Sequence, residues 1–348
     1  LPFFRDHFTF DGRVALNLQP GKYTYTVERG PEFEQLSGAL TLKEGNPQML
    51  KLSIGRIAHL RKAGWFSGDL HVHRPLKDIN LLMRAEELDF APVITWWNKS
   101  NFWAGSEHPE AGEDEREGGA LIFHRLERPI DITRASREVP SPMRYLEEVR
   151  ARDPGAWIDI EKPFWWDVPV WLASGKMNSI GLANNHMCRS QMLPTEAWGK
   201  PRDTGRLPAP RGNGFWTQEI YYHLLNTGLR LPPSAGSASG VLPNPVGYNR
   251  VYVHLDGKFS SDAWWRSLAA GRCFVSNGPL LLARADGQWP GAVIKSSKPR
   301  RIKIELDLTS WDRVRDLEVI QNGKVIQRVA CTRARNQKHT VEITPGES

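Results

Sequence analysis

Gly64-Trp65-Phe66-Ser67-Gly68-Asp69-Leu70-His71-Val72-His73 is the stretch on which the reading of this chain turns. Apolar residues lead into an apparent strand, and a strand repeats every two residues, so Asp69, His71 and His73 share one face. Two imidazoles and a carboxylate make a poor core surface. They make a good nitrogen and oxygen ligand set for Zn, Mn or Fe. The competing reading is a pair of surface histidines. Asp78, five places after His73, can serve as the N-cap of a helix beginning at Ile79.

Outward from this stretch, the middle of the chain alternates short apolar runs with helical patterns. Ala91–Thr95, Trp157–Ile160, Ser179–Ala183 and Arg250–His254 read as strands. Ser141-Pro142 supplies a cap and a proline at the first helical position, and a second helix runs from Ser260-Ser261 to just before Gly271. Alternation of this kind predicts an α/β domain over 63–285, with a parallel sheet or barrel and ligands at the carboxyl ends of its strands. Two such ends carry polar groups. Glu161 and Lys162 follow Trp157–Ile160, and Asn184-Asn185-His186 follows Ile180–Ala183.

The flanks read differently. Val14, Leu16 and Leu18 alternate, Pro20-Gly21 breaks the pattern, and Tyr23, Tyr25 and Val27 resume it, so 1–62 is expected to form a small β-sandwich-like module. Residues 286–348 are expected to form a second β module, one cut off before its natural end, with Asn322-Gly323 as a tight hairpin turn.

Composition excludes some classes. The 348 residues are 40% hydrophobic and 24% charged, and no run is apolar for long enough to span a membrane. The +7 formal charge is scattered, without a basic track interleaved with aromatics, so no nucleic-acid partner is expected. Cys188, Cys273 and Cys331 lie far apart and form neither a disulfide framework nor a zinc knuckle. The chain starts at Leu1 rather than Met, which fits trimming or processing and is compatible with a secreted or periplasmic location. Of the 14 tryptophans, seven cluster between Trp96 and Trp171, as core filler or as walls of a pocket for a sugar or aromatic group.

Asp69-Leu70-His71-Val72-His73 resembles the first motif of the PHP (polymerase and histidinol phosphatase) superfamily, closest to its CehA/McbA-type metallohydrolases. Further resemblance lies in Ile160-Glu161-Lys162-Pro163-Phe164-Trp165-Trp166, Ala183-Asn184-Asn185-His186 and Gly271-Arg272-Cys273-Phe274-Val275-Ser276-Asn277-Gly278-Pro279. It implies a distorted (β/α)7 barrel, flanked here by the two β modules. It also implies metal ligation by His71, His73, Glu161 and His186, and a metal-ligating or supporting carboxylate at Asp78, against the N-cap reading. Two departures stand out. Thr95-Trp96-Trp97 replaces the family's Thr-Asp-His, and Gly236-Ser237-Ala238-Ser239-Gly240 replaces its Gly-Ser-Asp-x-His. One or at most two metal ions are therefore expected, rather than three.

The expected chemistry is hydrolysis of an ester, amide, carbamate or phosphoester bond in a small-molecule or glycan-like substrate. A metal-bound water is the nucleophile, and Asp69 or Asp78 either accepts its proton or orients a ligand histidine from behind. Lys162, Asn98, Asn185 and Arg250 are candidates to hold a substrate oxygen, and Trp97 and Trp165 to face its ring. The alternative is a catalytically inactive module that keeps the fold to bind a glycan or peptide.

Overall fold

The computed structural model describes residues 1–97, 100–101, 113–115, 120–132 and 139–345. The chain opens with β1 (Phe3–Phe4), β2 (His7–Phe8), β3 (Gly21–Val27) and β4 (Leu36–Leu42). The middle continues through β5 (Trp65–Gly68), α1 (Leu76–Glu86), β6 (Ile94–Trp97), β7 (Ser100–Asn101), β8 (Glu113–Glu115) and β9 (Leu121–His124). Next come α2 (Pro142–Arg152), β10 (Trp157–Ile160), α3 (Val168–Ala173), β11 (Ser179–Ala183) and α4 (Gly212–Asn226). It closes with β12 (Pro233–Ala235), β13 (Arg250–His254), α5 (Ser261–Ala269) and β14 (Cys273–Ser276). The last part holds β15 (Leu280–Ala285), β16 (Ile302–Thr309), β17 (Asp316–Gln321), β18 (Lys324–Ala330) and β19 (Asn336–Ile343).

Strand pairing corrects the expected (β/α)7 barrel. The largest sheet has the order β12-β11-β10-β9-β8-β6-β7, and a separate sheet has the order β14-β13-β5. In a β/α barrel every strand runs parallel to its neighbours and is followed by a helix. Here β9 is antiparallel to both β10 and β8, and β13 is antiparallel to both β14 and β5. The described residues hold five α-helices and no closed barrel. Apolar runs separated by helices specify that strands exist, but the direction of pairing is set by contacts far apart in sequence.

Residues 69–73, read as the end of a strand, also depart from expectation. The strand stops at Gly68. Beyond it the chain is held by single bridges, Val72 to Val93 on one side and Val72 to Ser239 on the other. Leu70 N–H donates to Ala235 O at 2.9 Å and His73 N–H to Ser239 O at 2.8 Å.

The core follows from the two faces of β10. Ile158 and Ile160 point to one side and pack with Tyr145, Leu146 and Val149 of α2 and with Val168 and Trp171 of α3. Trp157 points to the other, where its ring meets Trp265 of α5 at 4.8 Å. Both α2 and α5 are capped as their sequences predict: Ser141 accepts from Met143 N–H, and Ser260 from Ala263 N–H.

The flanking modules are not closed sandwiches. The expected strand through Val14, Leu16 and Leu18 does not form, and Leu16, Leu18, Leu50 and Leu52 are all exposed. Instead β3 pairs with β4 as an isolated hairpin. At the C-terminal end, β15, β16 and β19 form a sheet against which Leu317 of the β17–β18 hairpin packs. Asn322 and Gly323 both take positive φ in that hairpin's turn, as the dipeptide favours.

One glycine of the opening motif is fixed by packing. A Cβ on Gly68 would lie 2.5 Å from Trp264 Cζ2. That indole is fully buried, donates to Phe66 O at 3.1 Å and touches Phe90, so it has no room to retreat. Gly68→Ala is expected to cost roughly 1–3 kcal/mol of stability by overpacking. Chemical denaturation checks this, and an unchanged midpoint would refute the packing argument.

Candidate functional site

The site is organised by Asp69, which is fully buried. Its Oδ1 accepts from His71 N–H and Ser237 N–H, both at 3.0 Å. Its Oδ2 accepts from Gly247 N–H at 2.7 Å and from the Ser237 hydroxyl. Burial pushes the Asp69 carboxyl upward, and these four donors oppose that push. The carboxylate is thus committed to bracing the backbone around His71, which fits the histidine-orienting role among the two expected of it.

His71 and His73 come together. Both are buried, and their Nε2 atoms lie 2.9 Å apart. Two lone pairs cannot face each other at that distance, so the pair needs a shared proton or a shared cation. On the other edge of the His71 ring, Nδ1 lies 3.1 Å from Glu161 Oε1. Glu161 also accepts from Asn185 N–H at 3.0 Å and pairs with Lys162 Nζ at 2.7 Å. Glu161 therefore contacts the edge of the ring opposite the nitrogen shared with His73. A carboxylate so placed can fix the orientation of an imidazole.

His186 sits on the neighbouring loop, where its N–H donates to Asn184 Oδ1 and the Phe164 ring meets it edge-on at 5.0 Å. Its Nδ1 donates to Thr195 O at 2.9 Å, which leaves Nε2 with the lone pair. Burial, aided by the nearby Lys162 charge, depresses its pKa to about 4.

Other expected residues lie elsewhere. Arg250 is buried beneath the sheet, donating to Gly247 O and Glu86 O. Trp165 belongs to the core under α2 and α3. Asp78 is not an N-cap, because α1 begins at Leu76; it lies in the first turn, donating its N–H to Pro75 O. Trp97 enters through the backbone of β6, and Asn98 lies outside the described residues.

The donor set suits a divalent ion in part. Two imidazole nitrogens bound side by side at about 2.0–2.1 Å would stand roughly 3 Å apart, close to the His71–His73 spacing. Among the described residues, however, no three His, Cys, Asp or Glu side chains are placed to hold one ion.

Three residues were missed by sequence reasoning. Ser237, counted only as part of a departing motif, secures Asp69. Asp159 is buried and accepts from the hydroxyls of Ser179 and Ser234. Its place two residues before Glu161 on a half-apolar strand was a usable signal. Arg74, next to His73, is buried although charged.

No protein-family model, no curated protein and no solved structure matches the chain.

The His186 environment carries a pH consequence. Its folded pKa, about 4, lies below the unfolded value near 6.5. The unfolded chain therefore binds the proton more readily, so this contribution is complete above about pH 6.5 and is lost as pH falls towards 4. Denaturation midpoints of the native chain should drop more steeply over that interval than those of His186→Gln. Parallel pH dependences would contradict the buried, neutral imidazole.

Proposed function

We propose that the chain is a metal-dependent hydrolase acting on an ester, amide, carbamate or phosphoester bond of a small molecule. The supporting observation is the convergence of His71 Nε2 and His73 Nε2, with Glu161 against the far edge of the His71 ring. His71 and His73 would hold the ion. When bound, a divalent ion there supplies Lewis acidity and lowers the pKa of a water to about 7.

The chain's own groups do the positioning. Asp69 fixes the His71 main chain through its N–H, and Ser239 O fixes that of His73. Glu161 keeps the His71 ring turned towards His73, while Lys162 balances the charge of that buried carboxylate. Asn185, tied to Glu161 through its N–H, brings its amide to the same loop and can hold a substrate oxygen. A non-catalytic module that grips a glycan or peptide is the second reading. It is favoured by the lack, among the described residues, of a third side chain to complete an ion's ligand set.

The test is elemental analysis of the purified chain, joined to turnover of chromogenic esters and phosphoesters with added Mn or Zn. One or two ions per chain are expected in the native protein, with both metal and turnover lost in His71→Ala/His73→Ala. Glu161→Gln should keep the fold and weaken metal affinity roughly 10–100-fold. Unchanged metal content in a folded double variant would reject the reading.

A further inference from the structure

Arg74 is a buried charge whose partners are missing. Its residue exposure is 4%, and neither Nε nor Nη1 finds a hydrogen-bond acceptor. Arginine stays protonated in proteins, so it cannot escape this position by losing its proton. Leaving donors of a buried charged group unpaired costs more than leaving neutral ones so. The guanidinium face is occupied: the Phe4 ring lies beneath it, 5.1 Å from its carbon. Asp78 favours the charge through space, but no Arg74–Asp78 ion pair forms. Nε and Nη1 therefore await an acceptor that the described residues do not supply.

Position says what that acceptor is near. Arg74 directly follows His73, and α1 begins two residues later with no side-chain cap at Pro75. The N-terminal end of a helix favours negative charge through its free N–H groups and dipole. The β1–β2 pair crosses the same region. Phe4 covers Arg74, while Asp6 binds Arg189, three residues beyond His186. Arg74 thus adjoins the segment that carries His73, and the β1–β2 pair that covers it also reaches the segment that carries His186.

We infer that Arg74 binds an oxyanion, the phosphate or carboxylate group of the ligand that enters the site. A planar guanidinium matches both groups in shape and charge. This names an anionic substrate class and rests on the hydrolase reading for that meaning, but the binding itself needs no turnover.

The experiment is titration of the chelator-treated protein with inorganic phosphate and, separately, with acetate, followed by calorimetry and thermal shift. Chelation removes any contribution from a bound ion. At least one anion should bind and raise the melting temperature, and Arg74→Met should weaken it roughly 10–100-fold, the strength of hydrogen bonds to a charged group. Phosphate binding without acetate binding assigns a phosphoester-type ligand, and the converse a carboxylate. Equal affinity in native and variant protein, or no binding of either anion, overturns the inference. Should Arg74→Met fail to fold, native crystals soaked in arsenate decide it: anomalous signal at the Arg74 Nε or Nη1 supports the inference, and its absence there sinks it. If anion binding is lost with Arg74 while no ester or phosphoester is ever turned over, the hydrolase reading fails and this one stands.

Discussion

The Asp69 carboxylate ties the main chain of nearby His71 to Ser237 and Gly247, which lie 168 and 178 residues from it along the chain. Residues 69–73 belong to no strand, and besides this carboxylate they are tied to their neighbours by single bridges and isolated main-chain hydrogen bonds. A carboxylate in a dry interior is costly unless its oxygens are filled. Here both are filled, and the filling groups are the main-chain and hydroxyl donors that set where His71 stands. Gly236 adds to the constraint, since any Cβ there would run into the His71 Cβ. The histidine pair is therefore positioned from behind, by groups that themselves face no solvent.

A second layer of order comes from β10 and its neighbours. Their outward side chains are apolar and meet α2 and α3, so the helices anchor the sheet by burial. Their inward side chains are mixed: Trp157 packs on α5, while Asp159 binds Ser179 and Ser234. Trp157 Nε1 also donates to Ser179 Oγ at 2.7 Å, joining the aromatic and polar parts of that face. Glu161 emerges at the end of this polar side. It is held by Asn185 N–H and Lys162, so the carboxylate is fixed before any ligand arrives. Prior fixing of this kind lets a site act without reorganising.

The N-terminal part stitches the two histidine-bearing segments rather than adding a core. Arg189 takes Asp6 and Glu28 together, and Phe4 stacks on Arg74. The two Arg189 pairs are partly exposed and individually worth little, yet they span 161 and 183 residues of sequence. Their effect is on geometry at the rim, where loops would otherwise be free to spread.

The local chemistry was legible in the sequence because it depends on neighbours along the chain. The caps at Ser141 and Ser260 and the Asn322-Gly323 turn could be read directly, since each involves residues only a few positions apart. The closeness of His71 to His73 needed little more than their spacing, whereas the buried pairing of Glu161 with Lys162 ran against the alternation of strand faces. The period of two that put Glu161 at a strand end also places Asp159 on the same face. What the sequence could not carry was strand direction. Short apolar runs such as Leu121–His124 look alike whether they pair parallel or antiparallel, so the expected barrel gave way to a mixed sheet beside a separate antiparallel one. Nor could it carry which remote groups meet. Asp69 found Ser237, and Arg250 went beneath the sheet to Glu86 rather than to the site. Tertiary structure decided those matters, because a buried charge goes wherever folding brings enough hydrogen-bonding partners, and those partners lie far along the chain.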